Sequence, residues 1–319
     1  MADSTTGRSR ESTRIAVIGM GTWGRQLIRV FDSLAHVVIA ANRGGQAGHA
    51  WLRDSYPEIR PTSDARDAIA DPSVEAVVIA TSIASHASLA IAALDHGKHV
   101  FVEKPLATSA EEAEQVVASA RSAGRTLFVG HTFLFDAAFE ALHGIVRLDP
   151  IDRIDLTWLK YGTFVEPLIW NLLPHEVSLA TWLTGVVPSL RVTEHRSGET
   201  PLDRLVAVLD FGPDGPDGSI TIDRQHGEKL KSAVVRTRSG EELRWLNGDL
   251  DRMRGIRVVE RLVEHSEEAL VREARAFLEA VSSGTDARSD GVFGTAVVSA
   301  IAPIAAQLER VARGVESAR

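Results

Sequence analysis

The feature that most constrains the fold is a glycine-rich turn between a predicted strand and a predicted helix. Arg14 to Ile18 is an apolar run of strand length, the hexapeptide Gly19-Met20-Gly21-Thr22-Trp23-Gly24 follows at once, and Arg25 to Leu34 has helical apolar spacing. In this order the glycines permit a tight turn, a close backbone approach to a phosphate, and close packing of helix on strand. We therefore predict that Gly19, Gly21, Thr22, Trp23 and Gly24 bind a dinucleotide; a purely structural turn is the alternative.

Strand and helix patterns alternate from this turn as far as residue 131. The further predicted strands are His36 to Ala41, Glu75 to Ala80, Val100 to Val102 and Thr126 to Val129, and the further helices are Asp64 to Ala70, Ala87 to His96 and Ser109 to Ala123. The strands are apolar without alternation, which is typical of parallel strands buried on both faces. Residues 14–131 are therefore predicted to form a doubly wound parallel sheet of the Rossmann type, after a disordered polar tail at residues 1–13.

The pattern changes after residue 131. Helices are predicted at Asp136 to Arg147, Asn171 to Leu183, Glu267 to Ser282 and Gly294 to Arg313, a strand at Arg153 to Lys160, and several short strands within residues 189–245. Turn clusters separate these short, alternating stretches, which indicates antiparallel sheet. The predicted fold class is α/β, with a C-terminal α/β domain over residues 132–319 that contains an open, mostly antiparallel sheet. The charges from Arg252 to Arg261 are expected to form a solvated face.

Composition excludes several classes of protein. The net charge of −8 argues against a nucleic-acid partner, and the absence of cysteine excludes disulfides and thiolate chemistry. The polar N-terminus lacks the apolar run of a signal peptide, and the apolar stretch Val292 to Leu308 contains Pro303 and is short for a membrane span. We expect a cytoplasmic protein without membrane contact. The histidines lack the spacing of metal ligands, so no metal site is predicted.

A charged pair at the end of a predicted strand is the strongest candidate for catalysis. Glu103-Lys104-Pro105 follows Val100 to Val102, and open parallel sheets hold their chemistry at the carboxyl ends of strands. Lysine is scarce here, at positions 98, 104, 160, 229 and 231 only. A structural Glu–Lys pair is the alternative, and a cis bond before Pro105 is a further hypothesis.

Two other turns are expected to border the dinucleotide. The strand at His36 to Ala41 ends in Asn42-Arg43, where a site for NAD would usually have an acidic residue for the ribose. Asn42 can hydrogen-bond and Arg43 can pair with a 2′-phosphate, which favours NADP(H) over NAD(H), although Arg43 could also be a solvated turn residue. The turn Thr81-Ser82 and His86 follow the next strand; for His86 a structural role is the more frequent one.

Together these motifs resemble the Gfo/Idh/MocA family of nicotinamide-dependent oxidoreductases over residues 14–313. The resemblance rests on the glycine turn, Val77 to Thr81 with His86, Gly97-Lys98-His99-Val100 leading to Glu103-Lys104-Pro105, Gly130-His131, Pro174-His175 and Ser289-Asp290-Gly291. It implies that Lys104 lies near the nicotinamide with Glu103 orienting it, and that the C-terminal sheet mediates a homodimer or homotetramer.

The resemblance also implies a histidine that shares proton transfer, here His175. The family has an aspartate four residues earlier, and this chain has Asn171, which suits a helix N-cap before Pro174. Without that carboxylate, and at a helix N-terminus, His175 should be a weaker base and a readier acid. Tyr161 could serve instead as a hydroxyl donor, or it could be a packed aromatic, and His131 could line the domain boundary.

The function expected from the resemblance is NADP(H)-dependent hydride transfer to or from a sugar-like hydroxyl or ketone, including a nucleotide-linked sugar. The weak basicity expected of His175 favours ketone reduction. Two alternatives stay open at this point: reduction of an imine by the same family machinery, and a catalytically silent dinucleotide-binding protein. The missing aspartate favours the silent protein, and the intact Glu103-Lys104-Pro105 argues against it.

Overall fold

The computed structural model describes residues 13–44, 46–160, 166–200, 202–264 and 267–312. These residues form two β-sheets, of six and eight strands, with helices packed on their faces. The predicted tail falls almost wholly outside the described residues.

The first sheet is built by alternating strands and helices. Its elements in chain order are β1 (Arg14–Ile18), α1 (Thr22–Leu34), β2 (His36–Ala41), α2 (Gln46–Ser55), β3 (Arg60–Thr62), α3 (Ala65–Ala70), β4 (Ala76–Ile79), α4 (His86–Asp95), β5 (His99–Glu103), α5 (Ala110–Ala123) and β6 (Leu127–Gly130). The strand order is β3-β2-β1-β4-β5-β6, and every pair is parallel. Because the order reverses beside β1, the carboxyl ends of β1 and β4 form the crevice where such sheets bind ligands. The predicted doubly wound sheet is confirmed.

The residues between β2 and α3 were missed by the sequence pattern. Helix α2 contains Gly48 and buries only Gly48 and Leu52, so its apolar periodicity is weak. Strand β3 has three residues with Pro61 in the middle, which an edge strand tolerates. Helix α1 also begins earlier than predicted, because Gly24 belongs to its first turns.

The second sheet follows a helix and is mostly antiparallel, as predicted. Its elements in chain order are α6 (Ala137–Val146), β7 (Ile151–Leu159), α7 (Leu168–Asn171), α8 (Leu173–Thr184), β8 (Ser189–Arg196), β9 (Arg204–Asp210), β10 (Asp217–Asp223), β11 (Leu230–Thr237), β12 (Glu242–Leu246), β13 (Asp249–Arg254) and β14 (Arg257–Val263). The strand order is β14-β13-β12-β11-β7-β10-β9-β8, with β7 and β10 as the parallel pair.

The charges from Arg252 to Arg261 lie on the hairpin β13–β14 and are mostly exposed, in agreement with the expected solvated face, and Arg252 and Arg261 pair with carboxylates across the strands. One local prediction in this part was wrong. Asn171 does not cap the following helix. It ends α7, and Leu172 precedes α8, because the chain turns once between Pro167 and Asn171 before the longer helix begins.

The last two helices return to the first sheet. Helix α9 (Ala269–Ser283) places Phe277 against Phe31, Phe101 and Phe128, with ring centroids 5.7 Å apart for Phe101 and 5.8 Å for Phe128. Helix α10 (Gly291–Ala312) packs against α5, β6 and α8. The described core is one continuous apolar cluster across both sheets. The division at residue 131 therefore stays a prediction, since the C-terminal helices complete the first sheet.

Helix α10 alone among the described helices is long and apolar enough to span a membrane by length and composition, over Gly291–Val311. Its buried side chains include Val297, Val298 and Ile301, which face the protein core. The core helix of a soluble protein passes the same test, and α10 packs against the described core.

Candidate active site

The glycine turn between β1 and α1 has the shape of a phosphate cradle. Gly19 has a φ of +102°, and a Cβ there would overlap the carbonyl of Ala80; a Cβ on Gly24 would overlap the carbonyl of Gly19. These two glycines are required by the packing of the protein on itself. At Gly21 a Cβ would meet no atom within 4 Å. No neighbouring atom accounts for a glycine at position 21, and the space beside it is open.

The start of α1 adds the chemistry that this space needs. Gly21 is the N-cap residue and no side chain caps the helix, so the first N–H groups of α1 have no internal acceptor. Such N–H groups and the helix dipole favour a bound pyrophosphate. Thr22 and Trp23 are exposed beside this opening. The residues present therefore fit the dinucleotide that the sequence predicts.

The turn after β2 presents an amide and a guanidinium. The Asn42 side chain accepts weakly from the backbone N–H of Met20, at 3.4 Å, and lies directly over Gly48. A Cβ on Gly48 would come within 2.7 Å of Asn42 Nδ2. Arg43 is exposed. Asn42 is thus held against the glycine turn, and no acidic side chain occupies its place.

The turn after β4 is ordered by short polar contacts. Ser85 Oγ lies 2.8 Å from Thr81 Oγ1 and 2.8 Å from the carbonyl of Ser82. His86 is buried between two backbone carbonyls, with Nδ1 2.8 Å from Pro105 O and Nε2 3.2 Å from Thr81 O. Desolvation lowers the pKa of His86. His86 thus joins the β4 turn to the β5 turn, and Ser85 is a polar group at this turn that the sequence analysis did not include.

Lys104 and Glu103 point to different partners. Lys104 Nζ donates to the backbone carbonyl of Asn171 at 2.9 Å, and Glu103 Oε1 accepts from the indole Nε1 of Trp23 at 2.5 Å. No ion pair among the described residues joins Glu103 to Lys104. The alternative of a structural Glu–Lys pair is therefore not seen, because the carboxylate accepts from Trp23 instead, and the orienting role of Glu103 stays a prediction. The Lys104–Pro105 bond is cis, as hypothesised.

Burial shifts the pKa of Lys104 and that of Glu103 so that the uncharged form of each is favoured. Desolvation lowers the pKa of Lys104 to about 8, and the nearby charge of Glu103 opposes that change. Desolvation raises the pKa of Glu103 to about 7, against the hydrogen bond from Trp23 and the charge of Lys104. Lys104 can therefore change protonation close to neutral pH, which is what acid–base work requires.

His175 and His131 are buried near Lys104 without carboxylate partners. His175 packs against Trp158 and Phe133, with ring centroids 4.5 Å and 5.1 Å away, and its Nδ1 is buried with no hydrogen-bond partner. Desolvation and then Lys104 lower the pKa of His175 well below its usual value, and they lower that of His131 to about 3. Both rings are neutral at neutral pH.

A second buried lysine lies beside this cluster and was missed from the sequence. Lys231 on β11 forms a buried ion pair with Glu176 on α8, and its Nζ lies 3.7 Å from the ring centroid of Trp158 and 4.4 Å from that of Phe133. Desolvation lowers the pKa of Lys231 to about 8. The only available signal was the scarcity of lysine, since a single charge in an alternating strand is usually solvent-facing.

Two further predictions concern Tyr161 and the absence of a metal site. Tyr161 lies outside the described residues. Its neighbour Lys160 is half-buried, and its charge is among those that lower the pKa of Lys104. Within the described chain no group of three metal-binding side chains converges. The absence of a metal site stays a prediction.

Comparisons with known proteins bear on this arrangement. The family model GFO_IDH_MocA, described as an oxidoreductase family with an NAD-binding Rossmann fold, matches residues 13–131. Inositol 2-dehydrogenase of Acidothermus cellulolyticus is 30% identical over 240 residues, covering 70% of this chain and 70% of that protein. The 4-carboxy-2-hydroxymuconate-6-semialdehyde dehydrogenase of Sphingobium sp. is 28% identical over 236 residues, covering 65% and 74%.

A solved structure has the same fold over nearly the whole length. UDP-N-acetylglucosamine 3-dehydrogenase GnnA from Acidithiobacillus ferrooxidans aligns with a TM-score of 0.82 and 22% identity, covering 94% of this chain and 97% of that chain. The overall fold is therefore shared with that solved structure.

Proposed function

The chain belongs to the Gfo/Idh/MocA family of oxidoreductases, and on this premise we propose that it reduces a ketone of a sugar-like substrate with NADP(H). An oxidoreductase with a nicotinamide-binding Rossmann fold follows from the family itself. The sugar-like substrate is supported by the relative at 30% identity, an inositol 2-dehydrogenase. A nucleotide-linked sugar is the narrower form of the proposal and rests on the Asn171 departure alone.

The observation that carries the proposal is the state of Lys104. The bound nicotinamide supplies or takes the hydride, and a proton must move on the substrate oxygen in the same reaction. Lys104 lies at the carboxyl end of β5, held at 2.9 Å by the carbonyl of Asn171, with its pKa lowered to about 8. Its ammonium can stabilise a developing alkoxide and give up a proton.

The proposed direction, ketone reduction, is supported by which groups hold a proton at neutral pH. His175 and His131 are neutral because burial lowers the pKa of each far below 7, so the acidic role expected of His175 is proposed for Lys104 instead. Lys104 is mostly protonated below pH 8 and is the available acid. Ketone reduction uses that form of the lysine, whereas alcohol oxidation requires the neutral amine and therefore a higher pH.

The preference for NADP(H) rests on the turn after β2. Asn42 replaces the acidic side chain that would repel a 2′-phosphate, and the exposed Arg43 can pair with it. Equilibrium titration of the wild type with NADPH and with NADH tests this point, with tighter NADPH binding expected. Loss of that preference in Arg43→Ala would identify the residue responsible; tighter NADH binding by the wild type would contradict the proposal.

Lys104→Met tests the catalytic assignment. We expect kcat/KM for NADPH-dependent reduction of cyclic ketose substrates to fall by about 10²–10⁴-fold, the usual contribution of an acid–base group. Cofactor affinity should be unchanged. Lys229 is exposed, so Lys229→Met is the matched control and should keep full activity.

The pKa of Lys104 also predicts how the rate depends on pH. In the wild type the rate of reduction should decline as pH rises through about 8, and His175→Asn should show the same pKa in its pH–rate profile. An unimpaired Lys104→Met would refute the assignment, and activity on cyclic imines alone would favour the imine-reductase alternative.

We also propose the expected homo-oligomer through the outer face of the eight-stranded sheet. On that face Val234 is 41% exposed, and Val206 and Val208 are half-buried in the single chain. Light scattering of the wild type and of Val234→Glu would test this assembly. The cytoplasmic location stays a prediction.

A further inference from the structure

Two buried carboxyl groups, those of Glu103 and Glu273, interact electrostatically, and only Glu103 belongs to the predicted site. Glu103 ends β5 and is 6% exposed, while Glu273 on α9 is fully buried. Desolvation and then the negative charge of Glu103 raise the pKa of Glu273 well above its usual value. Two carboxylates and one ammonium would leave a net negative charge in a buried region. Holding one proton on the carboxyl pair removes it.

The two carboxyl groups contact opposite ends of one short segment, from Gly130 to Thr132. The Glu103 side chain lies on Gly130, where an added Cβ would come within 2.9 Å of Oε1. Thr132 Oγ1, two residues later, donates to Glu273 Oε2 at 2.7 Å. Phe277, one turn along α9 from Glu273, packs on Phe101, two residues before Glu103. The Glu103 and Glu273 carboxyl groups therefore come together because α9 packs near the end of β5.

The hydrogen-bond donors around the pair are unequal. Glu103 accepts from the indole N–H of Trp23, and the positive charge of Lys104 also acts to lower its pKa. Glu273 accepts only the hydroxyl of Thr132 among the described contacts, and its Oε1 is buried with no partner. A carboxylate is stabilised by donors and by a nearby cation, and a neutral acid needs fewer of them. The proton therefore belongs on Glu273 and the charge on Glu103.

We propose that Trp23 is a positioning residue for Lys104: its indole N–H keeps the negative charge of the buried pair on Glu103, the neighbour of Lys104 in the chain, and leaves Glu273 protonated. The functional importance of this arrangement rests on the proposed role of Lys104, but the charge assignment does not. Trp23 is 43% exposed in the glycine turn, so the residue that sets this charge also borders the predicted cofactor site.

Other charged groups act on Lys104 and are the background to any titration. Those whose charge is coupled to the lysine are Glu103, Lys160, Glu166, His86, His131, His175 and Lys231. Of these, Glu103 is the one that Trp23 contacts directly. Removing the indole N–H should therefore change the pKa of Lys104 through the charge of Glu103.

The test measures the pKa of Lys104 without relying on activity. The chain has lysines only at positions 98, 104, 160, 229 and 231, so NMR of protein containing ¹³C-labelled lysine gives few signals, and Lys104→Arg assigns the relevant one. Trp23→Phe removes the N–H and keeps an aromatic ring. We expect proton transfer to Glu103, and hence a fall in the pKa of Lys104 by about one unit, equivalent to a tenfold change in its acidity. Thermal unfolding checks that the variant is folded.

Two further variants make the result specific. Trp51→Phe, at a half-buried tryptophan on α2, is the matched control and should leave the pKa of Lys104 unchanged. Glu273→Gln mimics the protonated acid, so Glu103 keeps its charge and the pKa of Lys104 should not fall. An unchanged pKa in Trp23→Phe, or a lowered pKa in Glu273→Gln, would overturn the charge assignment. If instead the pKa shifts as expected while Lys104→Met stays active, only the proposed function fails.

Discussion

Lys104 and Lys231 show why lysine, rather than arginine, occupies the interior of this site. Both amines are surrounded by low-dielectric protein, and desolvation lowers the pKa of each to about 8. A guanidinium would stay charged under the same conditions, and it could neither release a proton nor become neutral. Several arginines of this chain instead form ion pairs at the surface, such as Arg252 with Glu241 and Arg236 with Asp152.

The glycine turn gives a prediction at the same scale. Gly21→Ala adds a Cβ that meets no protein atom, so we expect normal stability and a rise of about tenfold or more in the cofactor Kd, which is about 1.4 kcal/mol. Gly24→Ala is the matched change at a packed position, where the Cβ would overlap the carbonyl of Gly19. It should cost about 1–3 kcal/mol of unfolding free energy. Fluorescence titration and chemical denaturation measure the two effects; equal behaviour of the variants would contradict this division of roles.

At the scale of elements, the site depends on how α8 packs on β7 and β11. Helix α8 is buried over most of its length, and it carries His175 and Glu176 at its first turn. Strand β7 supplies Trp158 and strand β11 supplies Lys231 to the same cluster. The short helix α7, ending at Asn171, supplies through its backbone the carbonyl that holds Lys104. The second sheet therefore holds the side chains that face the end of β5.

The ion pair between α8 and β11 gives the prediction at this scale. Lys231→Met leaves Glu176 buried without its partner, and we expect a loss of about 3–5 kcal/mol in unfolding free energy. The double variant Lys231→Met with Glu176→Leu removes both charges and should recover most of that loss. Denaturant unfolding of the two variants measures the difference. A loss under about 1 kcal/mol in the single variant would show that α8 does not depend on this pair.

At the scale of the whole molecule, the C-terminal helices pack back on the N-terminal sheet. Helices α9 and α10 follow the second sheet but pack on the first, where Ser289 accepts a backbone hydrogen bond from Val129 and Phe277 covers Phe101 and Phe128. The first sheet is thus completed by residues far from it in sequence.

This closure predicts how a fragment should behave. A chain of residues 13–131 alone would expose the face that Phe277 and Val297 cover, so we expect no cooperative unfolding transition and poor dispersion in its NMR spectrum. Joining residues 267–312 to it through a flexible linker should restore a cooperative transition. Circular dichroism and NMR of the two fragments provide the measurement. A cooperatively folded 13–131 fragment would instead support residue 131 as an independent domain boundary.

Much of the architecture was predictable because its signals are local. The bounds of β1 and β2 agree with the apolar runs, Ser109 and Asp136 cap their helices, and the glycine turn lies where the motif required it. Helix α2 and strand β3 escaped prediction because they bury little and contain a glycine and a proline. Asn171 was misplaced because a capping residue is recognised by type, and the preceding turn of helix carries no such residue.

The sequence by itself determined most of the elements and that Lys104 stands at a strand end, because hydrogen-bonding periodicity and apolar spacing act over a few residues. Only the tertiary structure decided which polar groups meet. Trp23 and Glu103 are 80 positions apart, Lys104 and Asn171 are 67 apart, and Thr132 and Glu273 are 141 apart. The physical reason is that long-range contacts depend on how whole elements pack, and burial in that packing, rather than residue type, sets the charge of each group.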